Sequence, residues 1–217
     1  MNKYSVFFDM TENEISDMLL CLNSEEKKYK KGDMIMSFAT MSENVGVMYD
    51  GLAYLLSVNT DGEKSIIEYY EQGNIFGNKF SPNTNENLYY LVAKKNCTVK
   101  FLKYDCVISL CKKNCQNHRK FINNIIFSTS SKSRLHINIL SQRKIRNKLL
   151  MYFEFISRQS ETNKIKLPLP LADLADYLAV DRSAMMRELK KMNDENIISS
   201  KGTNITLIRN SEFGIRN

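Results

Sequence analysis

"DRSAMMRELKKMNDENII", residues 181–198, is the stretch from which the rest of the chain can be read. Met185, Leu189 and Met192 recur at helical spacing and predict a buried stripe. Asp181 stands where its carboxylate can accept from the free N–H groups of the first turn. Arg182, Ser183, Met186, Arg187 and Lys190 are left on the opposite side, sharing one face. Such a helix has too few apolar residues for a core and more than a free surface helix needs. By itself it reads as an ordinary solvated element, so its neighbours must say what the basic face touches.

Upstream, "ADLADYLA" predicts a shorter helix with Leu174 and Leu178 turned inward, and Ala175 small enough for close helix contact. A tight turn around Val180 separates the two helices. Downstream, "IISSKGTNITLI" reads as strand, Lys-Gly turn, strand. Helix, turn, helix and hairpin within about fifty residues form a winged helix-turn-helix pattern. In that setting the basic face is most simply a DNA-reading face. The fork of arginine matches O6 and N7 of guanine, while lysine, including Lys201 on the hairpin, suits phosphate.

Charge supports this placement. Residues 1–140 hold 17 Lys/Arg and 15 Asp/Glu, whereas residues 141–217 hold 14 and 9, so the basic excess sits mostly in the last third. A compact basic segment suits a polyanionic partner.

The N-terminal part has a different texture. Residues 11–23 predict a helix behind Thr11 as N-cap, with Ile15, Met18, Leu19 and Leu22 at helical spacing. From about 27 to 104, β-rich runs ("VGVMYDG", "LAYLLSVN", "SIIEYY", "CTVKFLKY") alternate with turn signals, predicting a sandwich or barrel. Residues 105–158 contain neither Gly nor Pro and predict one or two long helices. Positions 110, 114, 117, 121, 125, 128, 132, 135 and 139 follow a heptad-like spacing. Phe121, Ile125, Leu135 and Ile139 would then face a symmetry mate across a seam interrupted by Ser128 and Lys132. The alternative is a helix packed on its own β domain. A second helix, about 142–158, has Arg143, Lys144, Arg146 and Lys148 crowding its start. "NKIKLPLPLADL" marks a boundary after it.

"LPLPLADLADYLAVDRSAMMRELKKMNDENIISSKGTNITL" resembles the C-terminal DNA-binding domain of the Crp/Fnr family of bacterial transcription regulators. "KKGDMIM" and "VMYDGLAYLLSVNTDGEKSIIEYYEQGNIFGN" resemble that family's cyclic-nucleotide-binding-type barrel. The resemblance implies an α+β chain in three parts: a cupin-like double-stranded sensory β-barrel (1–104), a long dimerisation helix (105–140) and a winged helix-turn-helix (141–217). It also implies a homodimer on double-stranded DNA with an inverted-repeat operator, with RNA polymerase as a further partner. Arg182, Ser183 and Arg187 would contact bases. The family often has Glu at the Ser183 position, so the operator sequence cannot be carried over; its polar cap is replaced by Pro170 and its turn glycine by Ala179, and neither change forbids the motif.

Cyclic-nucleotide binders of the family carry Glu after "FG" for the ribose and an Arg-Ser pair for the phosphate. "IFGNKF" places Asn78 at the first of these, and counting back from Cys97 places Asn87 and Leu88 at the others. A buried phosphate needs a cation or several donors, so cyclic AMP is not expected. An effector pocket would involve Tyr69, Phe76, Gly77, Asn78 and Tyr89, although aromatic pairs such as Tyr69–Tyr70 and Tyr89–Tyr90 more often fill a barrel.

No resident cofactor and no metal is expected. Iron–sulfur sensors of the family need clustered N-terminal cysteines, and only Cys21 lies there. Cys106, Cys111 and Cys115 read first as small buried hydrophobes and second as redox sensors. His118 and His136 are eighteen apart, without partners at metal spacing. A cupin-like enzyme would need ligands in the barrel, and residues 1–104 contain no histidine. A chain that is not an enzyme is therefore expected. The competing reading is a ligand-binding or interaction module whose helix-turn-helix contacts protein. Acidic residues near the start, the odd cysteine count and the lack of any run of eighteen apolar residues predict a cytoplasmic protein without membrane contact.

Overall fold

A computed structural model of the chain describes residues 4–80, 88–109 and 115–208. The chain divides into two compact units, Met1–Lys132 and Ser133–Asn217.

In the first unit, helix α1 (Glu12–Cys21) starts where its sequence dictates. The Thr11 hydroxyl accepts from the Glu14 N–H while the Glu14 carboxylate accepts from the Thr11 N–H at 2.7 Å, a reciprocal capping box. Its end is closed by Asn23 in the left-handed conformation (φ 55°), a position asparagine tolerates.

Eight strands follow: β1 (Glu25–Tyr29), β2 (Met34–Ser37), β3 (Asn44–Asp50), β4 (Leu52–Val58), β5 (Lys64–Glu71), β6 (Ile75–Phe76), β7 (Leu88–Ala93) and β8 (Cys97–Lys103). They form two four-stranded antiparallel sheets, ordered β1-β8-β3-β6 and β2-β7-β4-β5, in a jelly-roll-like barrel. The predicted strand runs fall on β3, β4, β5 and β8. Inward residues of both sheets make one core, including Ile35, Met48, Leu55, Tyr70, Phe76, Leu91 and Val99. Phe76 meets Tyr70 and Phe101 edge-on, with centroids 5.5 and 6.3 Å away. Gly46 on β3 makes room for this ring, because any β-carbon there would overlap it.

The glycine-free stretch is broken into three helices: α2 (Tyr104–Ile108), α3 (Gln116–Leu140) and α4 (Ile145–Ser160). The N-terminal part of α3 belongs to the first unit, and here one expectation is corrected. Phe121 (0% exposed) and Ile125 (6%) are buried among Val6, Phe7, Met18, Leu19, Val45 and Leu102 of the same chain. They are core residues, each stabilising the fold by roughly 1.5–3 kcal/mol, and offer no surface to a second copy. The polar seam positions are explained alike. Ser128 is buried and donates to the Ile125 carbonyl. Lys132 donates to the Tyr69 carbonyl (2.5 Å) and Asn74 Oδ1 (3.0 Å), with Glu68 3.4 Å away and the Tyr69 and Tyr70 rings beneath it.

The second unit contains the C-terminal part of α3, then α4, β9 (Lys164–Lys166), α5 (Leu171–Tyr177), α6 (Arg182–Asp194), β10 (Ile198–Lys201) and β11 (Asn204–Leu207). The three strands form one antiparallel sheet, β10-β11-β9. Strand β9 falls inside the stretch read only as a boundary. Its Ile165 pairs with Ile205 in the buried row of the sheet. The hairpin turn is Gly202-Thr203, one residue later than expected; Gly202 supplies the positive φ (61°), and Lys201 ends β10.

Candidate nucleic-acid interface

Helix α6 is the element around which the site is built. Asp181 has extended backbone angles, and its Oδ1 accepts from the Ala184 N–H at 2.7 Å, so the predicted N-cap is present. Met185, Leu189 and Met192 are buried as one stripe (0%, 3% and 0% exposed). Arg182, Ser183, Met186, Arg187 and Lys190 are all exposed. Among the described residues, Arg182, Arg187 and Lys190 enter no ion pair, so three cations face outward along two turns.

The turn before α6 is a Schellman closure of α5. The Val180 N–H donates to the Ala175 carbonyl and the Ala179 N–H to the Asp176 carbonyl. Ala179 takes the left-handed position (φ 50°) usually given to glycine. Lys148 on α4 (8% exposed) donates its ammonium to the Leu178 carbonyl at 2.8 Å, satisfying an orphan acceptor at the end of α5. In the sequence Lys148 is only one of four basic residues crowding the start of this helix.

Arg146 is a second such case. Its Nε donates to Glu188 Oε1 at 2.5 Å, and its terminal nitrogens reach the two oxygens of Glu195 at 2.6 and 3.2 Å. Hydrogen bonds donated to Glu195 first and Glu188 second hold the guanidinium proton more firmly than usual. The Arg146 bond holds the Glu195 carboxyl below the usual carboxylate range. At the far end of α6, Asn193 donates to Ser200 Oγ and accepts from the Ser200 N–H, tying the helix to β10.

To Lys201 the sheet adds Lys164 and Lys166, which the sequence reading missed. Lys166 pairs with Asn204 and Asn204 with Lys201, so these three share one row across the sheet; Lys164, Thr206 and Ser199 form the following row on the same face, two positions along. Lys164, Lys166, Lys201, Ser199 and Asn204 are exposed. Lysine on alternate positions of a "KIK" run was the available signal, but it gains meaning only through pairing with β11.

The effector candidates are less coherent. Phe76 belongs to the barrel core and Tyr89 packs half-buried against it, whereas Tyr69 is buried beneath Lys132. The Asn78 carboxamide is spent on a neighbouring loop, donating to the Phe38 and Thr40 carbonyls (3.5 and 3.3 Å) and accepting from the Ser42 N–H (3.2 Å). Gly77 (φ 146°) lies against Val45, where a β-carbon would be 3.2 Å from its nearest methyl. Leu88 is half exposed, and Asn87 lies outside the described residues. Cys106 is exposed and Cys115 intermediate; Cys111 also lies outside.

Of the seam residues, Leu135 is half-buried and Ile139 fully buried. The exposed face of α3 follows a neighbouring register instead: Asn123, Ile126, Ser130, Ser133, Ile137 and Leu140, in alternating three- and four-residue steps. Ile126 (63%), Ile137 (66%) and Leu140 (44%) are its large apolar members. No helix among the described residues is long and apolar enough to cross a membrane, and no group of three or more His, Cys, Asp or Glu that could hold a metal ion occurs among them.

Comparison with known proteins gives two family matches in tandem. The cyclic nucleotide-binding domain family matches residues 26–114, and the Crp-like helix-turn-helix domain family matches residues 144–212. No curated protein matches the chain. Among solved structures, FixK2 from Bradyrhizobium japonicum is 18% identical, with a TM-score of 0.65 over 86% of this chain and 93% of that one. A CooA mutant from Carboxydothermus hydrogenoformans is 14% identical, with a TM-score of 0.68 over 93% of each chain. A cyclic nucleotide-binding domain containing protein from Listeria monocytogenes EGD-e is 13% identical, with a TM-score of 0.71 over 89% of this chain and 97% of that one. At these identities the structures speak for the fold, and the two tandem domain matches speak for the family. With a cyclic nucleotide-binding-type barrel followed by a Crp-like helix-turn-helix, the chain belongs to the Crp/Fnr family of DNA-binding transcription regulators.

Proposed function

We propose that the protein binds an inverted-repeat DNA operator as a homodimer, reading bases with α6 and phosphates with the adjoining sheet. The observation that carries this is the division of α6. Its apolar stripe is wholly buried, while Arg182, Ser183, Met186, Arg187 and Lys190 remain exposed on a capped, rigidly seated helix. Arg182 and Arg187 are suited to guanine, and Ser183 can pair with donor or acceptor. Lys190, Lys201, Lys164 and Lys166 are suited to phosphate. The dimer contact is assigned to the exposed face of α3 through Ile126, Ile137 and Leu140. The protein acts in the cytoplasm as a regulator, with RNA polymerase as a further partner, and not as an enzyme.

The barrel is assigned an effector other than a cyclic nucleotide. Asn78 stands in place of the ribose-binding Glu and has already spent its amide, neither Asn87 nor Leu88 supplies a cation for the phosphate, and Phe76 fills the core beside Gly46. A saturable heat on titration with micromolar cyclic AMP would overturn this assignment. Differential affinity of the effector for the DNA-competent arrangement would set the response.

Selection of random duplexes by the full-length chain tests the main reading. It should enrich a two-fold symmetric sequence with half-sites about 10 base pairs apart, the spacing that places two reading helices on one side of the duplex. Enrichment of no sequence would overturn it.

A further inference from the structure

We propose that Arg146, which has no place on the DNA-reading face, is a positioning residue that sets the angle at which α6 presents that face. The inference rests on the DNA reading and adds a residue to it. Arg146 is the second residue of α4, whereas Glu188 lies within α6 and Glu195 at its C-cap. The two glutamates are seven positions apart, two helical turns on one side, spanning about 10 Å along the axis. One guanidinium bridges that span with three hydrogen bonds of 2.5, 2.6 and 3.2 Å.

The buried stripe alone leaves the roll of α6 loosely specified. Two of its three members are methionines, unbranched side chains that fill irregular space and tolerate small shifts. A roll of about 20° moves a side-chain tip at the helix surface by about 2 Å. That is enough to break a hydrogen bond to a base edge. A planar fork held at both ends of the segment resists such a roll as two methionines cannot.

The same bonds settle a charge problem. Glu188 lies on the helix that carries the reading face, where an unpaired carboxylate would weaken the field offered to a polyanion. Arg146 occupies it. Lysine cannot substitute, because a point charge cannot bridge both carboxylates in two directions.

The test uses the full-length chain and the duplex selected by the unaltered protein, with a scrambled duplex as control. Arg146→Gln should lower operator affinity about tenfold, the lower part of what one bidentate base contact supplies. Scrambled DNA should lose much less, and the salt slope should stay unchanged because no phosphate contact is removed. Arg146→Lys should recover little of the loss. Glu188→Gln combined with Glu195→Gln should also lose operator discrimination, although it makes the helix more basic. A double variant that gains or keeps discrimination would overturn the proposal, as would an Arg146→Gln protein, folded by circular dichroism, that discriminates like the original. Equal loss on both duplexes with a shallower salt slope would make Arg146 a phosphate ligand and also overturn it. If the unaltered chain selects no duplex, the DNA reading itself fails, a different result from variants that bind as well as their parent.

Discussion

Phe7 and Phe121 stack with ring centroids 5.9 Å apart and an interplanar angle of 17°. A residue near the start of the chain thus covers the face of α3 whose spacing suggests an intersubunit seam. The spacing correctly indicates that Phe121 and Ile125 are buried, but it cannot indicate against what.

Substitutions on the two faces of α3 should therefore differ in kind. Phe121→Ala should cost about 3–5 kcal/mol of stability, the usual range for emptying a buried aromatic site. Ile126→Asp with Ile137→Asp should leave stability nearly unchanged and convert dimers to monomers in sedimentation. A stable dimer carrying both aspartates would place the subunit contact elsewhere.

At the turn before the reading helix, Ala179→Gly should stabilise the protein. Alanine at φ 50° carries strain that glycine does not. Set against the greater freedom of glycine in the unfolded chain, the net gain is about 0.5–1 kcal/mol. Of the other helix ends closed by a left-handed non-glycine residue, α1 and α6 use Asn23 and Asn196, which tolerate the position better, and α4 uses Glu161. Thermal unfolding of the variant reads the effect, and a lower midpoint would contradict it.

Features held within a few residues were legible in the sequence. Thr11 with Glu14, Asp181 with Ala184, and the stripe of α6 each depend on neighbours at most seven positions away. What was missed depends on distant partners. Lys148 meets Leu178 thirty positions later, Arg146 meets Glu195 forty-nine later, and Lys132 meets Tyr69 sixty-three earlier. In the sequence Arg146 and Lys148 stand out only as part of a basic cluster at a helix start and Lys132 as a polar break in a seam, because periodicity reports which side a residue faces and says nothing of its partner. Strand β9 was missed likewise, since three residues have no strand signal until Ile165 meets Ile205.

Glu71, at the end of β5, supplies a pH test. Burial pushes its carboxyl above the ordinary value of 4.5, with Lys132 opposing. The folded chain therefore holds this proton more tightly than the unfolded chain. Its contribution to stability is full below 4.5 and is lost as pH rises through the folded value. Glu71→Gln should be more stable than the parent at neutral pH, with the difference shrinking as pH falls towards 4.5. Urea midpoints measured for both proteins across that range check the sign. A difference that does not change with pH would contradict it.

The central claim is that α6 reads DNA, and it is tested most directly by equilibrium binding of the unaltered chain and of Arg187→Ala to the selected operator and a scrambled duplex over a range of salt. Affinity of the unaltered chain should fall linearly with salt on logarithmic axes, as counterion release requires. Arg187→Ala should lose roughly 1–3 kcal/mol on the operator and much less on the scrambled duplex. Binding indifferent to salt, or an operator affinity untouched by Arg187→Ala, would contradict the account.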